Sequence, residues 1–406
     1  MNILVRYFKA ILTAGLLTAS IIASLPTVYS FDFARPDLTV TQFLDSLSFN
    51  YKGIDVKVTG VSIGETFDDN VTFANKDKIN DFITDAGGGV RVTYEKKTMT
   101  LELIGNANNR TYEKNSDFDN ITEDITLNFK NEFSEFDRIS LKNVFTHSDA
   151  PLFFREDFFN EQFGRTGGRF DYFRNKSNAN YSRDVTKQLT VIARYANDID
   201  MFSGVDLQNS MQNKAGFELD YIFSSATIFY FSYDFTHREF EEGKNAVFNT
   251  ITPGVRQYFT KKIYFDGKIG VDFIDSFDDK KLIKPNVQSS LNYEIVELTR
   301  LSLLFTKKYD TNPYTEDLFN NWRTSLSFSR QLLERLGCSL SLFYGDGEYI
   351  SSNSTQKLMG ASPIFTYDIN KNLKGNLTYT YSQLDSNFES SGYTKNTVFL
   401  GFVAEF

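Results

Sequence analysis

From about residue 54 to its end the chain repeats one theme, with segments of roughly ten residues alternating apolar and polar positions between turn-forming residues. Over 263–273 the set Ile263, Phe265, Ile269, Val271 and Phe273 faces one way, and Tyr264, Asp266, Lys268, Gly270 and Asp272 the other. Over 227–235, Phe229, Phe231, Tyr233 and Phe235 alternate with Ile228, Tyr230, Ser232 and Asp234. The chain closes on "KNTVFLGFVAEF", where Val398, Leu400, Phe402, Ala404 and Phe406 share a face. Chain ends are ordinarily polar and frayed. One this apolar needs an apolar partner.

The connections alternate too, short and then long. "EKK" at 95–97, "SS" at 224–225, "TKK" at 260–262 and "NKN" at 370–372 are tight. Segments such as 68–80, 147–168, 199–212 and 275–286 are long and rich in Asp, Glu, Asn, Gly and Ser. Short turns at one end and long polar loops at the other are the plan of a transmembrane barrel. The pattern predicts an all-β, antiparallel up-and-down β-barrel of about eighteen strands, near 54–67, 81–94, 98–107, 121–133, 138–146, 169–182, 188–198, 213–223, 226–237, 247–259, 263–273, 287–295, 298–308, 318–330, 336–345, 355–368, 373–383 and 394–406. Sixteen is the alternative count, because Gly60–Val61 interrupts the first strand and marks a bulge. In hydrocarbon an unpaired N–H or C=O costs several kcal/mol, so a lipid-facing sheet cannot keep an open edge, and the first strand must pair with the last.

Composition agrees. There are 41 Phe and 22 Tyr but one Trp and seven Pro, as suits strands with one greasy face. At the N-terminus, Arg6 and Lys9 precede an apolar run from Ile11 to Ile22, and Val28 and Ser30 suit a cleavage site, so residues 1–30 read as a signal peptide. Residues 31–53 read as a short periplasmic segment in which "DLTVTQFLDSL" suggests an amphipathic helix, and 54–406 as the barrel. A single Cys, Cys338, excludes an internal disulfide framework, and a formal net charge of −9 argues against nucleic acid as partner.

Opposite the apolar face, parity aims Arg91, Asp124, Arg194, Glu218, Asp220, Asp234, Arg256, Asp266, Lys268, Asp272, Arg300, Arg323 and Lys374 inward. A dry core could not hold so many charges, whereas a barrel of this size leaves an aqueous lumen. Paired across the wall, they rigidify it; wet, they line a pore, and mixed signs predict weak ion selectivity. The two histidines, His147 and His237, read as rim residues, with the base of a membrane-embedded lipid hydrolase as the rival. "HSD" at 147–149 cannot itself be a triad, since successive strand side chains diverge. Asp68–Asp69, Asp117 with Asp119, Asp198 with Asp200, Glu239 with Glu241–Glu242, and Asp278–Asp279 offer oxygen ligands for divalent cations, against the commoner reading of solvated loops. Histidine and cysteine are too few for a metal centre, and no cofactor is expected. Gly87–Gly89 reads as a bend or close backbone approach.

Residues 61–84, with Glu65, Phe67, Asp68, Asp69 and Asn70 followed by Asp81, Ile83 and Thr84, resemble the opening of outer-membrane proteins of the putative β-barrel porin 2 type. The hairpin at 249–273 is similar to a repeated unit of that group. Gly401, Phe402, Ala404 and Phe406 resemble the C-terminal signal read by the barrel-assembly machinery, with Ala404 standing where a bulkier residue is usual. The resemblance implies a Gram-negative outer-membrane address, with lipid and lipopolysaccharide around the barrel, and an association with exopolysaccharide export in some look-alikes. The expected role is a porin-like passage for small solutes or for envelope polysaccharide, without catalysis. Its rival is a plugged accessory barrel whose acidic loops bind a surface partner. Loops 147–168 and 199–212 are long enough to fold inward and narrow the pore. The oligomeric state is not legible.

Overall fold

The computed structural model describes residues 48–150, 158–164, 169–203, 207–276, 281–387 and 392–405. The readings of a signal peptide and of a helix at 37–47 lie outside these residues, as do Asp278–Asp279 and Phe406. After a short strand, β1 (Phe49–Tyr51), the chain forms β2 (Ile54–Asp68), β3 (Asp81–Lys96), β4 (Met99–Tyr112), β5 (Asn120–Glu132), β6 (Asp137–Ser148), β7 (Asp171–Asp184), β8 (Leu189–Ser203), β9 (Ser210–Ser224) and β10 (Thr227–Phe240). It continues with β11 (Asn245–Tyr258), β12 (Ile263–Asp275), β13 (Lys281–Val296), β14 (Thr299–Thr311), β15 (Leu318–Leu333), β16 (Leu336–Tyr349), β17 (Thr355–Asp368), β18 (Leu373–Ser386) and β19 (Tyr393–Ala404). One helical turn, α1 (Phe158–Gln162), lies between β6 and β7.

Each strand pairs antiparallel with its chain neighbours, and β19 pairs with β2, Thr397 opposite Asp68 through to Ala404 opposite Val61. The eighteen strands β2–β19 therefore close into one barrel, and the sixteen-strand alternative falls. The interruption at Gly60 is a bulge: the register of β2 on β3 shifts between Val58 and Gly60. β1 extends the β2 hairpin, so the segment 31–53 contributes a strand of its own.

The two faces part as the period of two requires. On β12, Ile269 is 67% exposed on the outer face while Asp272 is 1% exposed inside. Phe229, Phe231 and Phe235, Leu377 and Tyr379, and Val398, Leu400 and Phe402 all lie outward, where lipid replaces water. The last strand is apolar for that reason.

Four short turns share one chemistry. After an apolar residue (Phe133, Val185, Phe259 or Ile369), the side-chain oxygen of Ser134, Thr186, Thr260 or Asn370 accepts backbone N–H bonds from two and three residues ahead. The side chain thus stands in for a missing turn bond, as Ser, Thr and Asn do where the backbone reverses. Phe133, Val185 and Phe259 are well exposed, and they continue the outward apolar face to the rim.

The main apolar cluster sits in the mouth of the barrel at the long-loop end. Phe158, Phe159 and Phe163 pack there with Phe319, Phe343, Tyr349, Leu358, Leu384 and Tyr393.

Candidate functional site

All thirteen inward residues read from parity lie on the face opposite the apolar one, and strand pairing brings several together. Arg194 donates to Glu218 at 3.0 Å and to Asp234 at 3.2 Å, while Lys268 donates to the same Glu218 at 3.0 Å. Arg256 and Asp266, opposite one another in register, form a pair at 2.5 Å. Asp272 accepts from Thr250 and Asn286, and Asp124 from Thr146. Asp220 sits between Thr190 and Tyr230 in register. Arg323 donates to Thr306, and Arg91 lies 3.3 Å from Glu102. Arg300 and Lys374 stand apart, near the short turns, the latter 2.7 Å from Glu405. Half-buried charges that find partners within a strand or two avoid most of the cost of leaving water.

A second group of residues is not read as inward-facing from the pattern, although Asp200 stands among the acidic pairs offered as cation ligands; in the fold it meets arginines instead. Asp200 accepts from Arg174 at 2.6 Å and from Arg238 at 3.3 Å, and Arg174 also reaches Glu161 and Tyr314. Arg110 and Asp85 form a buried pair at 2.9 Å. Asp200, Arg238 and Arg110 lie just past the strand ends expected from the pattern, so their parity was not read. The signal was present: each is spaced by an even number from an inward residue on its own strand.

The element that gives the lumen its shape is α1. In the ring of eighteen, β16 is the tenth strand after β6, so a segment that leaves β6 and packs on β16 and β17 has crossed the lumen. Glycines make the seat. A Cβ at Gly360 would overlap the Phe159 ring, and one at Gly345 would lie 2.9 Å from that of Phe163. Gly164 ends the turn at φ +90°, a conformation glycine adopts without strain. Its N–H donates to Gln356, its carbonyl accepts from Tyr349 and Asn312, and Tyr393 donates to Gln162. On the other side Glu161 meets Arg174 at 3.2 Å. Of the two loops expected to fold inward, the first therefore has a described part that does so. The second is largely strand, since β8 runs to Ser203 and β9 begins at Ser210.

Open space remains beside α1 and elsewhere along the wall. A cavity of roughly 340 Å³ lies between α1 and the charged wall, bordered by Glu161, Arg174, Arg238, Lys308 and Arg323. It shares Gln212, Lys308, Asp310 and Thr311 with a second of roughly 320 Å³ that reaches Arg194 and Lys268. A third, of roughly 410 Å³, lies against β2–β4 and β19, where Gly87 and Gly89 approach the side chains of Asn108 and Asn106, the close approach expected of that run.

The remaining candidates sit elsewhere. His147 stacks on Phe173 with ring centroids 4.3 Å apart and lies 3.6 Å from Glu123 and from Asp171, on the outward face of β6. His237 takes the outward parity of β10, four strands away, opposite Asn213 and Val247. The two do not meet, and the residues facing them in register, Glu123, Phe173, Asn213 and Val247, carry no hydroxyl or thiol. Asp68 and Asp69 bind Lys395 and Asn396, and Asp119 accepts from the Tyr112 N–H. Among the described residues no three His, Cys, Asp or Glu side chains gather for a metal. Of the terminal group, Gly401 lies inside against Phe399, Phe402 points outward, and Ala404 pairs with Val61 and Leu373.

Residues 280–406 match the family model described as Putative beta-barrel porin 2. The match covers the last strands, including the terminal group, while the motif at 61–84 lies outside it. The outer membrane protein opdK from Pseudomonas aeruginosa superposes with a TM-score of 0.50 at 11% identity, over 87% of this chain and 99% of that one. OccK2 (OpdF) from the same organism gives 0.48 at 10% identity over 86% and 98%, and the siderophore receptor PirA from Acinetobacter baumannii 0.46 at 9% over 86% and 80%. No curated protein sequence matches. The fold is that of an outer-membrane, porin-like β-barrel.

Proposed function

We propose that this protein is a constricted outer-membrane channel through which small hydrophilic solutes diffuse. The observation that carries the reading is α1, anchored across the lumen by the seats at Gly345 and Gly360, with a cavity left open between it and the charged wall. A loop held inside a barrel reduces the bore without closing it, and the flanking walls carry charged and hydroxyl groups that substitute for the hydration of a passing solute. No covalent step and no cofactor enter. A polysaccharide strand would have to displace α1, so small solutes suit the geometry better than a polymer. Reconstitution of the purified barrel in planar bilayers tests this: discrete conductance steps are expected. Pure protein that inserts but gives no steps removes the passage and leaves the plugged accessory barrel in its place.

A further inference from the structure

At one place the outward face of the barrel turns polar at mid-height. Six residues beyond the start of their strands, β12, β14 and β16 present Ile269, Phe305 and Leu342 to lipid, whereas β6 presents Asn143. Asn143 shares the outward parity of Phe145 and His147 and stands opposite Leu127 of β5 and Ser177 of β7. Its Nδ2 donates to Asn175 Oδ1 at 3.0 Å and to Ser177 Oγ at 2.7 Å, and Asn175 donates to the same hydroxyl at 3.5 Å. The cluster is incomplete. Among the described residues nothing donates to Asn143 Oδ1, and nothing accepts the hydrogen of the Ser177 hydroxyl. All three side chains are only half-buried, so they meet what surrounds the barrel, and in hydrocarbon a polar group short of partners is costly. Relief accompanies the polarity. At the same height Gly105 of β4 lies opposite Ile125 of β5. A Cβ at Gly105 would meet nothing within 4 Å, while Ile125 is 39% exposed, so a hollow adjoins a ridge.

We propose that the outward face of β4–β7, centred on Asn143, is the contact between copies of this barrel within the membrane. Copies inserted the same way up are related by an axis along the membrane normal, which keeps every residue at its own depth. A group short of partners at mid-depth therefore meets its own counterpart, which lipid tails cannot supply. A side-chain amide both donates and accepts, so the cluster is complementary to itself. The Ile125 ridge beside the Gly105 hollow gives a relief that interlocks at one height. In lipid, apolar surface has no preference for protein over tails, and polar side chains with small residues beside them are what bring spanning elements together. The inference does not depend on whether solute crosses the lumen.

Sedimentation equilibrium of the folded barrel in density-matched detergent tests this. The unaltered protein is expected to sediment as an assembly of two or more copies that dissociates on dilution. Asn143→Leu, which removes the amide, and Gly105→Phe, which fills the hollow, should each weaken association by about tenfold. Retention of the compact electrophoretic form checks that each variant folds, and the two changes lie on different strands, so either one suffices. Single copies of the unaltered protein at every concentration, or association equal in all three proteins, overturns the contact. Single copies that carry lipopolysaccharide, lost in Asn143→Leu, assign the face to lipid and overturn it equally.

Discussion

At the scale of single residues, a missing Cβ decides whether a segment can cross the lumen. Gly360 and Gly345 sit in regular strands where the chain turns in no unusual way, so nothing local calls for glycine. Their partners, Phe159 and Phe163, lie some two hundred residues away in sequence, on the far side of the barrel. This is why the seat was illegible: the sequence shows that loop 147–168 is long, but the vacancy it fills is nonlocal. Gly360→Ala is expected to unseat Phe159, at an overpacking cost of about 1–3 kcal/mol, and to raise the single-channel conductance. Gly105→Ala, where an added Cβ meets nothing within 4 Å, should leave conductance unchanged. By contrast, the bulge at Gly60 and the inward charges were legible, because a break in alternation and a parity are both local properties.

At the scale of elements, the seam between β2 and β19 is the short one. It pairs only over Val61–Asp68 and Thr397–Ala404, whereas β14 and β15 pair over Thr299–Thr311 and Leu318–Arg330. Side chains extend it upward. Lys395 donates to Asp68 at 2.5 Å and to the Asn70 carbonyl at 2.8 Å, Asn396 bonds Asp69, and Asn70 donates to the Thr394 carbonyl. The Lys395–Asp68 pair is buried, with side chains 6% and 7% exposed. Lys395→Met strands a buried carboxylate, so a loss of about 3–5 kcal/mol is expected, read as a lower temperature at which the barrel loses its compact electrophoretic form. Lys395→Met with Asp68→Leu should recover part of it. Strand existence was legible throughout, but ends at the long-loop side were not: β13 begins at Lys281, six residues before the pattern announces it. Alternation records lipid on one face, and above the belt both faces meet water while the ladder continues. Hydrogen bonding outlasts the pattern.

At the scale of the molecule, the lumen has two unlike walls. One, from β7 to β15, carries Arg174, Arg194, Glu218, Asp234, Arg238 and Lys268 in cross-paired clusters. The other, from β16 round to β3, is lined by small groups such as Ser341, Gly345, Ser362, Thr380 and Gly64, and it receives α1. Because most described charges on the first wall are matched by an opposite one, the reversal potential in a KCl gradient should lie near zero. Arg194→Gln leaves Glu218 and Asp234 each short of a cation and should shift the potential toward cation preference, at a similar conductance.

The joining of β19 to β2 has one more consequence, in time instead of space. The ring cannot be shut until β19 is in place, so a chain that lacks Tyr393–Ala404 keeps two raw sheet margins, and the cost of bare N–H and C=O groups in hydrocarbon holds such a chain out of the bilayer.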